Sequence, residues 1–526
     1  MPKSYDAIII GAGHNGLVTA ARLAQTGWKV LVLERRPVIG GCCVTEELWP
    51  GYKVSTAAYV NSLLRPEIIR DLELKKYGFS MLPRSPSSFT PFPDGRYLLM
   101  GPDAALTHRE VSKFSTKDAD NLPKYEQMLL RAAAFLEPML METPPDPWSN
   151  RPGDWWKLTR LAWKFRSLGR DGAQVIDILT SAASPILDRW FESEELKVTL
   201  ATDAVIGAAA APSMPGTAYV LFHHVMGECD GARGVWGYVR GGMGGISQAI
   251  AASAQAHGVD IRTDVAVERI VLRSGKVIGV ALASGEEIAA PRIASCVDAR
   301  TTFLKLLQPR DLPEEFVSAV QAIDYTSMTV KINVALDALP NFTAAPSTGV
   351  APHHHGTIHI GPDRDYVERA YDEAKHGRPA SHPMIECTLP TALDDSLAPP
   401  GKHLMGMFVQ YVPPVGKGEW DADAFAQRCF DIVNDYAPNF KSAIQHYQVL
   451  PPAELERIYG LTGGNIMQGA MNLNALFFLR PVAGYANYRT PVPGLYLCGA
   501  AAHPGGGVMG AAGWNAAREM LRDGRP

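Results

Sequence analysis

The sequence predicts an α/β protein in which a parallel-sheet domain, built from separated parts of the chain, is interleaved with an α+β domain. Near the N-terminus, apolar runs at 7–10 and 30–33 flank a segment with helically spaced leucine and alanine. Short apolar runs return at 293–297 and 495–498, and runs of this kind are typical of strands covered on both faces. The chain has 526 residues, more than one core usually holds, so we expect two domains.

A glycine-rich turn joins the first strand to the first helix. Gly11, Gly13 and Gly16 have the spacing G-x-G-x-x-G. In such a turn the first glycine permits the bend, the second lets the backbone approach a pyrophosphate, and the third lets helix and strand pack closely. Free N–H groups at the helix start attract the anion, and we expect His14 and Asn15 to line the same site.

Glu34 closes the second strand and can accept hydrogen bonds from ribose hydroxyls. Strand, glycine turn, helix, strand and acid together predict a dinucleotide site, with NAD and FAD both open at this point. The alternative is a glycine-rich turn that binds no ligand.

The composition is that of a globular protein, with 46% hydrophobic and 20% charged residues. A net charge of −4 gives no indication of a nucleic-acid partner. The chain opens with MPKSYDA, without an Arg-rich presequence or signal peptide, and its apolar runs are shorter than the ~20 residues that span a bilayer. We therefore expect a cytoplasmic protein.

The seven cysteines are scattered and form no C-x-x-C motif, which argues against a disulfide framework, a zinc site or a dithiol centre. Cys42 and Cys43 are interpreted as small residues lining a cofactor pocket, with redox activity as the alternative. Three consecutive histidines, 353–355, diverge on an extended loop, so no metal site is predicted.

Patterns further along the chain predict the other elements. Pro66 begins a short helix, Asp94-Gly95 turns a hairpin within 80–100, and 122–141 is helical. Between 236 and 297 the order is glycine turn, helix, strand, a hairpin turn at Ser274-Gly275 and a buried strand. An antiparallel sheet with flanking helices is expected within 301–480, with strands at 329–336, 355–360, 384–388 and 404–411 and a helix at 422–436.

A basic, tryptophan-rich helix is predicted around 155–166. An amphipathic helix of this composition can lie on a membrane surface, so peripheral membrane contact is one interpretation. We favour the other, in which the helix forms part of a lid and packs its tryptophans on a substrate cavity or against a second protomer; a homo-oligomer is therefore open as well.

The segment after Glu34 carries the first resemblance to a known group of proteins. Arg35, Arg36, Gly40 and Gly41 extend the motif to E-x-x-x-x-x-G-G, which resembles the FAD fingerprint of flavoenzymes with a glutathione-reductase-like fold. The resemblance implies that the Gly-Gly pair lies beside the flavin half of FAD and that the backbone at Val267 contacts the adenine.

The C-terminal part completes this resemblance. Strand 495–498 leads into Gly499-Ala500, and a run of three glycines ending at Gly507 is expected to open a helix at Val508 whose start faces the flavin. Related flavoenzymes often have Gly-Asp where Gly499-Ala500 stands, so the usual ribityl contact is in doubt. The implied division is an FAD domain (1–75, 230–300 and 485–526) and a substrate domain (76–229 and 301–484) with a helical lid near 122–200.

One branch of these enzymes is resembled over nearly the whole chain. The motifs SLLRP, YVLFHHVMG, WGYVRGGMG and LYLCGAAAHPGGGVMGAAG are similar to the pyridine nucleotide-disulfide oxidoreductase domain-containing protein 2 family, within the phytoene desaturase-like superfamily. The C-x-x-x-x-C pair of disulfide reductases and a second complete nucleotide-binding unit are missing, so FAD alone is expected, bound noncovalently. Animal members of the branch are associated with mitochondria, which makes the mitochondrial matrix the alternative location.

The resemblance implies an FAD-dependent oxidoreductase that desaturates, saturates or isomerises an apolar substrate. An amine or amino-acid oxidase is the second interpretation, and a flavin-binding regulatory or interaction protein without turnover is the third. His503, just before the glycine run, is the first candidate for moving a proton, and His224 is the second.

Overall fold

Five short parallel strands from distant parts of the chain form the first sheet of the computed structural model, which describes residues 5–229 and 231–526. In spatial order they are Asp260–Arg262, Val30–Leu33, Ala7–Ile10, Ile293–Ser295 and Leu495–Leu497. The two N-terminal strands have the predicted bounds, and the last two are slightly shorter than predicted. Apart from the half-buried edge strand Asp260–Arg262, every residue of these strands is buried, because helices and loops cover both faces.

Helices His14–Ala24, Gly244–Ala256 and Ala511–Arg522 pack against this sheet. The first and last of them touch through their backbones, since a Cβ on Gly513 would lie 2.0 Å from the carbonyl oxygen of Asn15. Shorter helices complete this part of the molecule: Pro66–Asp71, Ala299–Leu304 and Glu314–Gln321.

The predicted hairpin at Ser274-Gly275 is confirmed. It joins Val267–Arg273 to Lys276–Leu282, and Glu287–Ala289 adds a third antiparallel strand. Ser274 and Gly275 both have positive φ (50° and 73°), the geometry of a type I′ turn that matches the twist of its strands.

A seven-stranded sheet forms the second layer. Its order is Ile444–Leu450, Thr329–Leu336, His403–Gln410, Met384–Thr388, Thr357–Ile360, Ser88–Pro91 and Tyr97–Met100. Neighbouring strands are antiparallel except for Thr357–Ile360 and Ser88–Pro91, which run parallel. The expected antiparallel sheet is thus present, and the hairpin turning at Asp94-Gly95 forms one of its edges.

Helices and short ribbons surround this sheet. The helices are Arg364–Lys375, Ala422–Tyr436, Phe440–Ala443 and Pro452–Tyr459. The two-stranded ribbons pair Glu46–Trp49 with Tyr52–Val54, Met81–Pro83 with Gly237–Val239, and Glu228–Cys229 with Ala232–Arg233. Short 3-10 turns lie at Leu74–Tyr77, Thr202–Ala204, Pro309–Asp311, Pro352–His354, Pro390–Ala392, Asp395–Leu397, Thr462–Gly464, Leu473–Ala475 and Phe477–Leu479.

A group of helices between 104 and 225 packs around its own apolar core. They are Ala104–Ser112, Thr116–Leu140, Pro152–Ser167, Asp171–Thr180, Ala183–Trp190, Glu194–Ala201 and Thr217–Val225. The helix predicted at 122–141 begins earlier, at Thr116, because the Ser115 hydroxyl caps it by accepting the Asp118 N–H at 3.1 Å. Within residues 5–229 and 231–526, no helix combines the length and the hydropathy that are needed to cross a membrane.

The predicted start of the C-terminal helix at Val508 is wrong. The helix begins at Ala511, because Gly510 has φ +73° and stands outside the helical region as its N-cap. The glycine run at 505–507 is therefore an irregular turn, and its N–H groups are not part of a helix start.

Arg480 ties this C-terminal turn to the loop that precedes it. Its buried guanidinium donates to the carbonyl oxygens of Ala500 (2.9 Å), Ala470 (3.0 Å), Ala475 (3.2 Å) and Met467 (2.6 Å). Burial lowers the pKa of Arg480 to about 10, so the side chain stays charged at neutral pH. A single cation thus satisfies several carbonyl groups of irregular backbone.

Arg480→Met should lower the free energy of unfolding by about 3 kcal/mol, because it leaves several buried carbonyl oxygens without donors. Urea denaturation followed by circular dichroism measures the change. Arg457→Met is the matched control, since Arg457 pairs with Glu454 on the surface, and it should leave the midpoint unchanged. Equal midpoints for the two variants would contradict the role given to Arg480.

Candidate functional site

The glycine turn lies at the carboxyl ends of the two central strands, where its geometry demands glycine at two positions. Gly11 has φ +91°, and its N–H donates to the Leu33 carbonyl at 2.8 Å. A Cβ on Gly16 would lie 2.3 Å from the Gly11 carbonyl oxygen. The fold itself therefore requires both glycines.

Gly13 is different, because neither its backbone nor its packing requires glycine. Its φ is −65°, and an added Cβ would lie 3.5 Å from Cys296 Sγ, which is an ordinary contact. Apart from the residues next to Gly13, no other atom of the described residues would come within 4 Å of this Cβ. The space above Gly13 is a cradle that a Cβ would fill. This fits the close approach of a pyrophosphate.

Glu34 faces the same turn from the end of the next strand. Its buried carboxylate accepts the N–H of Ala12 at 2.8 Å and the N–H of Arg36 at 3.0 Å. Two backbone donors hold the carboxylate in place, and its other lone pairs can accept from hydroxyl groups. Val265 donates its N–H to the Glu34 carbonyl at 2.9 Å, so the strand that begins at Val267 lies at this end of the site.

The Gly40-Gly41 pair lies directly on the first glycine turn. Gly40 donates its N–H to the Ala12 carbonyl at 2.8 Å and forms a parallel bridge with Gly13. Both residues have positive φ (116° and 58°), and a Cβ on Gly41 would lie 3.3 Å from the Gly13 Cα. The two glycine motifs thus form one continuous surface.

Arg35 and Arg36 point to different places. Arg35, predicted to bind the cofactor, donates from Nη2 to the carbonyl oxygens of Arg457 (3.1 Å) and Ile458 (2.8 Å), which makes it a link to helix Pro452–Tyr459. Arg36 pairs with Glu46 at 2.7 Å, and its buried Nη1 finds no hydrogen-bond partner within the described part of the chain. A buried, unsatisfied guanidinium nitrogen beside Glu34 is a cofactor-site feature that sequence reasoning missed.

The C-terminal turn closes the site from the other side. A Cβ on Gly499 would lie 2.3 Å from the Cys296 carbonyl oxygen, so this glycine is also required by packing. Next to the apolar Ala500, the Gln468 side chain accepts the Ala501 N–H at 3.1 Å. Gln468 thus places a polar side chain at the Gly499-Ala500 turn. Motif reasoning missed it because it lies far from this turn in the sequence.

Gly507 brings histidines from two other elements to this turn. It has φ +107°, and a Cβ there would lie 3.3 Å from His223 Nε2. His14, at the start of the first helix, lies near the Gly507 backbone, and its buried Nε2 has no hydrogen-bond partner within the described residues. Burial lowers the pKa of His14 to about 4, and burial together with His224 lowers the pKa of His223 to about 3, so both rings are neutral at pH 7.

Asn15 and Val508, also predicted to bind the cofactor, have structural neighbours as well. The Asn15 Oδ1 accepts the Gly513 N–H at 3.4 Å, which joins the first helix to the last. Val508 is half-buried and packs against the apolar core of the parallel-sheet region.

The two predicted catalytic histidines occupy different surroundings. His503 Nε2 lies 2.9 Å from the Met139 carbonyl oxygen, and its ring packs at 5.9 Å from Phe477. Burial lowers the pKa of His503 to about 4. His224 lies 2.8 Å through Nδ1 from the Val220 carbonyl of its own helix, which leaves it as a helix-bound side chain.

An apolar cavity of about 430 Å³ lies beside His503. Its walls come from the end of helix Thr116–Leu140, the inner face of Pro152–Ser167 and the turn at 477–478. The expectation that the tryptophans of Pro152–Ser167 pack on a cavity within this chain is wrong. Leu158, Leu161 and Phe165 line the cavity, whereas the tryptophans of that helix face outward.

A row of side chains on one face of the seven-stranded sheet forms a buried polar cluster. Register places Lys331 opposite Phe408, Phe408 opposite Glu386, and Glu386 opposite His359. Tyr59 covers this row: its hydroxyl donates to Glu386 Oε1 at 3.1 Å, and its ring lies 5.5 Å from Lys331 Nζ.

The Tyr59 segment connects the polar row to the glycine motifs, because Ala58 donates its N–H to the Cys42 carbonyl at 3.0 Å. Burial lowers the pKa of Lys331 to about 7 and, with help from Asp203, raises the pKa of Glu386 to about 7. Both groups can therefore change protonation near neutral pH. The sequence signal for this row is the alternation of Thr329, Lys331 and Asn333 with apolar residues in a predicted strand, and motif reasoning passed over it.

Cys42 and Cys43 adjoin the second glycine motif. Burial raises the pKa of each thiol to about 12, so both are protonated at neutral pH. Cys43 donates from Sγ to the Met243 carbonyl at 3.2 Å. The protonated thiols and this hydrogen bond favour the interpretation of Cys42 and Cys43 as small packing residues.

The chain belongs to the family of flavin containing amine oxidoreductases, which it matches over residues 16–521. The site fits the flavin dinucleotide that this family binds, and the protein is an FAD-dependent oxidoreductase.

The chain is also similar to individual proteins within and beyond this family. The pyridine nucleotide-disulfide oxidoreductase domain-containing protein 2 of Rattus norvegicus is 47% identical, covering 99% of this chain and 94% of the relative, which confirms the resemblance found in the sequence. A limonene dehydrogenase component from Castellaniella defragrans is 24% identical over 99% of this chain and 95% of its own. An oxidoreductase structure from Methanosarcina mazei shares the fold, with TM-score 0.63 and 19% identity over 98% and 99% of the two chains.

Gly13→Ala should weaken FAD binding by about tenfold or more without loss of stability, because the new Cβ fits the fold but occupies the pyrophosphate cradle. Flavin content after gel filtration and titration of the apoprotein measure the effect. Gly153→Ala, with its Cβ in open space, is the control and should bind FAD normally. Normal FAD affinity in Gly13→Ala would show that the cradle lies elsewhere.

Glu386→Gln should stabilise the protein above neutral pH. Folded Glu386 keeps its proton up to about pH 7, whereas an unfolded glutamate loses it near pH 4.3, so stability falls as pH rises between the two values. Glutamine does not titrate, so the variant does not lose this stability. The difference in free energy of unfolding between the variant and the unsubstituted protein should therefore shift by about 3 kcal/mol in favour of the variant between pH 4 and pH 8.5.

Urea denaturation across this pH range measures the difference between the two proteins. Glu268→Gln on an exposed strand position is the control and should follow the unsubstituted protein. Parallel pH profiles for Glu386→Gln and the unsubstituted protein would contradict the raised pKa.

Proposed function

We propose that this FAD-dependent oxidoreductase acts on an apolar substrate by desaturation, saturation or isomerisation. The observation that carries the proposal is the apolar cavity of about 430 Å³ that reaches His503, two residues before the glycine run. A cavity of this size suits a small apolar molecule or one section of an extended one. The name of the Castellaniella relative, part of a limonene dehydrogenase, supports a hydrocarbon substrate.

The arrangement proposed is the glutathione-reductase-like one, with the cofactor extended along the glycine motifs. Glu34 and the backbone at Val267 would hold the adenosine half. The pyrophosphate would lie on the glycine turn, with Arg36 nearby. The flavin half would lie among the remaining predicted residues: Gly40, Gly41, Gly499, Ala500, Gly507 and Val508. When bound, FAD supplies a two-electron acceptor or donor next to the substrate.

The chain's own residues then orient the substrate and exclude water. We assign the helices between 104 and 225 the role of a lid, since helices Thr116–Leu140 and Pro152–Ser167 form walls of the cavity. His503 donates from Nε2 to the Met139 carbonyl, so its Nδ1 carries the lone pair. With a pKa of about 4, that nitrogen is a weak base that can accept a hydrogen bond or a transient proton inside the cavity. His224 stays the second choice for this role.

Amine oxidation is the second candidate, and the buried row on the seven-stranded sheet favours it. Glu386 and the hydroxyl of Tyr59 could receive an amino group, and Lys331 can be neutral near pH 7. A substrate bound there would be polar at one end, unlike one held wholly in the apolar cavity.

Anaerobic reduction of the yellow protein by panels of terpenoid, fatty acyl and amine compounds tests the two candidates. Leu161→Trp, which fills the cavity, should lower the rate of flavin bleaching by an apolar compound at least tenfold while FAD content stays the same. Thr159→Trp, exposed on the same helix, is the matched control and should keep the full rate.

Each outcome of this experiment has a defined meaning. Bleaching by amines alone, unaffected by Leu161→Trp, would replace the first candidate by the second. Bleaching by none of the compounds would contradict both and favour a flavoprotein without turnover.

A further inference from the structure

The outer face of helix Pro152–Ser167 presents large aromatic side chains to solvent. Trp155, Trp156 and Trp163 are 58%, 63% and 75% exposed. A tryptophan buries a large apolar area wherever it finds a partner, so three exposed on one short helix mark a surface that binds something. Trp148, 61% exposed, extends this surface beyond the start of the helix.

The same surface is basic although the whole chain is acidic. Between Arg151 and Asp171 the sequence has six basic and two acidic residues, against a net charge of −4 overall. Both acids already face arginines, since Asp154 pairs with Arg151 at 3.0 Å and Asp171 with Arg131 at 3.2 Å. Exposed Arg166 lies on the tryptophan face of the helix, and exposed Lys164 lies beside this face, where it also borders the cavity.

We propose that this surface, formed by Trp148 and the outer face of Pro152–Ser167, docks the protein on an anionic lipid bilayer. Tryptophan rings suit the boundary between headgroups and acyl chains, where an apolar body and a polar N–H are both satisfied. Lysine and arginine beside them are attracted to anionic headgroups. The contact is peripheral, because the helix lies in the interface plane and keeps its other face on the protein.

The inner face of the same helix indicates what the docking is for, and this step rests on the function proposed above. Leu158, Leu161 and Phe165 on the inner side of the helix line the apolar cavity. Trp148 packs at 5.8 Å from Phe478, another lining residue, so exposed and cavity-lining aromatic rings adjoin each other. A compound dissolved in the bilayer would therefore reach the cavity with little exposure to water, and the substrate class is one that partitions into lipid.

Vesicle flotation of the holoprotein tests the docking directly. Vesicles of phosphatidylcholine with about one third phosphatidylserine should carry the protein upward, and pure phosphatidylcholine should carry much less. The triple variant W155S/W156S/W163S and the charge variant K164E/R166E should each bind the mixed vesicles about tenfold or more weakly. A blue shift of tryptophan fluorescence on the mixed vesicles should disappear in the triple variant.

Matched controls separate this surface from general effects of charge and hydrophobicity. R273E/K276E changes the charge equally at the exposed turn of the hairpin, and V350S/V415S removes exposed apolar side chains elsewhere. Both should bind vesicles as the unsubstituted protein does. FAD content and the urea midpoint, measured for every variant, establish that the fold is intact.

The proposal is overturned if the unsubstituted protein fails to float with anionic vesicles, or if the two test variants float as well as the controls. It is also overturned if sedimentation shows a dimer that W155S/W156S/W163S dissociates while vesicles do not compete, since the face would then bind a second copy of the chain. Flotation without bleaching by any apolar compound would support the docking surface and contradict the proposed substrate class.

Discussion

The close contact between the N-terminal glycine turn and Cys296, directly after the returning strand Ile293–Ser295, is the constraint on which the rest of the molecule depends. Gly16 donates its N–H to Cys296 Sγ at 3.1 Å, and a side chain on Gly16 would collide with the Gly11 carbonyl oxygen. The turn can take this form because Ile8 to Ile10 pair with Ile293 to Ser295 in parallel. The cofactor cradle is thus a tertiary structure that exists once the chain has returned from a long excursion.

The segments outside the parallel sheet form the surroundings of the cofactor turns. Insertion of the helices between 104 and 225 creates an apolar cavity next to His503, and the seven-stranded sheet contributes a buried polar row at Tyr59, Lys331 and Glu386. Burial leaves the nearby His223 neutral at pH 7, whereas it brings the pKa values of Lys331 and Glu386 to about 7. The inserted helices thereby offer an apolar environment, and the seven-stranded sheet offers an ionisable one.

Sequence patterns predicted about half of the strands and helices, those whose signals are local. Buried strands such as Val30–Leu33 are continuous apolar runs, and the hairpin at Ser274-Gly275 follows from residues that tolerate positive φ. The C-terminal helix was placed three residues too early, because the glycine run resembled a helix start. The sequence does not reveal that Gly510 is left-handed and that a Cβ there would lie 2.8 Å from Ile68 Cδ1. For Pro152–Ser167 the amphipathic pattern predicted a helix correctly, but apolar residues on both sides left the buried face undetermined.

By itself the sequence determined the dinucleotide turn, the flavin family and those strands and helices that have a clear hydrophobic period, because backbone conformation and hydrophobic period act over a few residues. Only the tertiary structure decided that Gln468 and Arg36 lie at the cofactor turns. It also decided that Lys331 and Glu386 lie on one face of the sheet, covered by Tyr59, and that three tryptophans face outward. These groups come from segments far apart along the chain. Their positions depend on strand register and on which helix face finds a partner, and no local pattern records either.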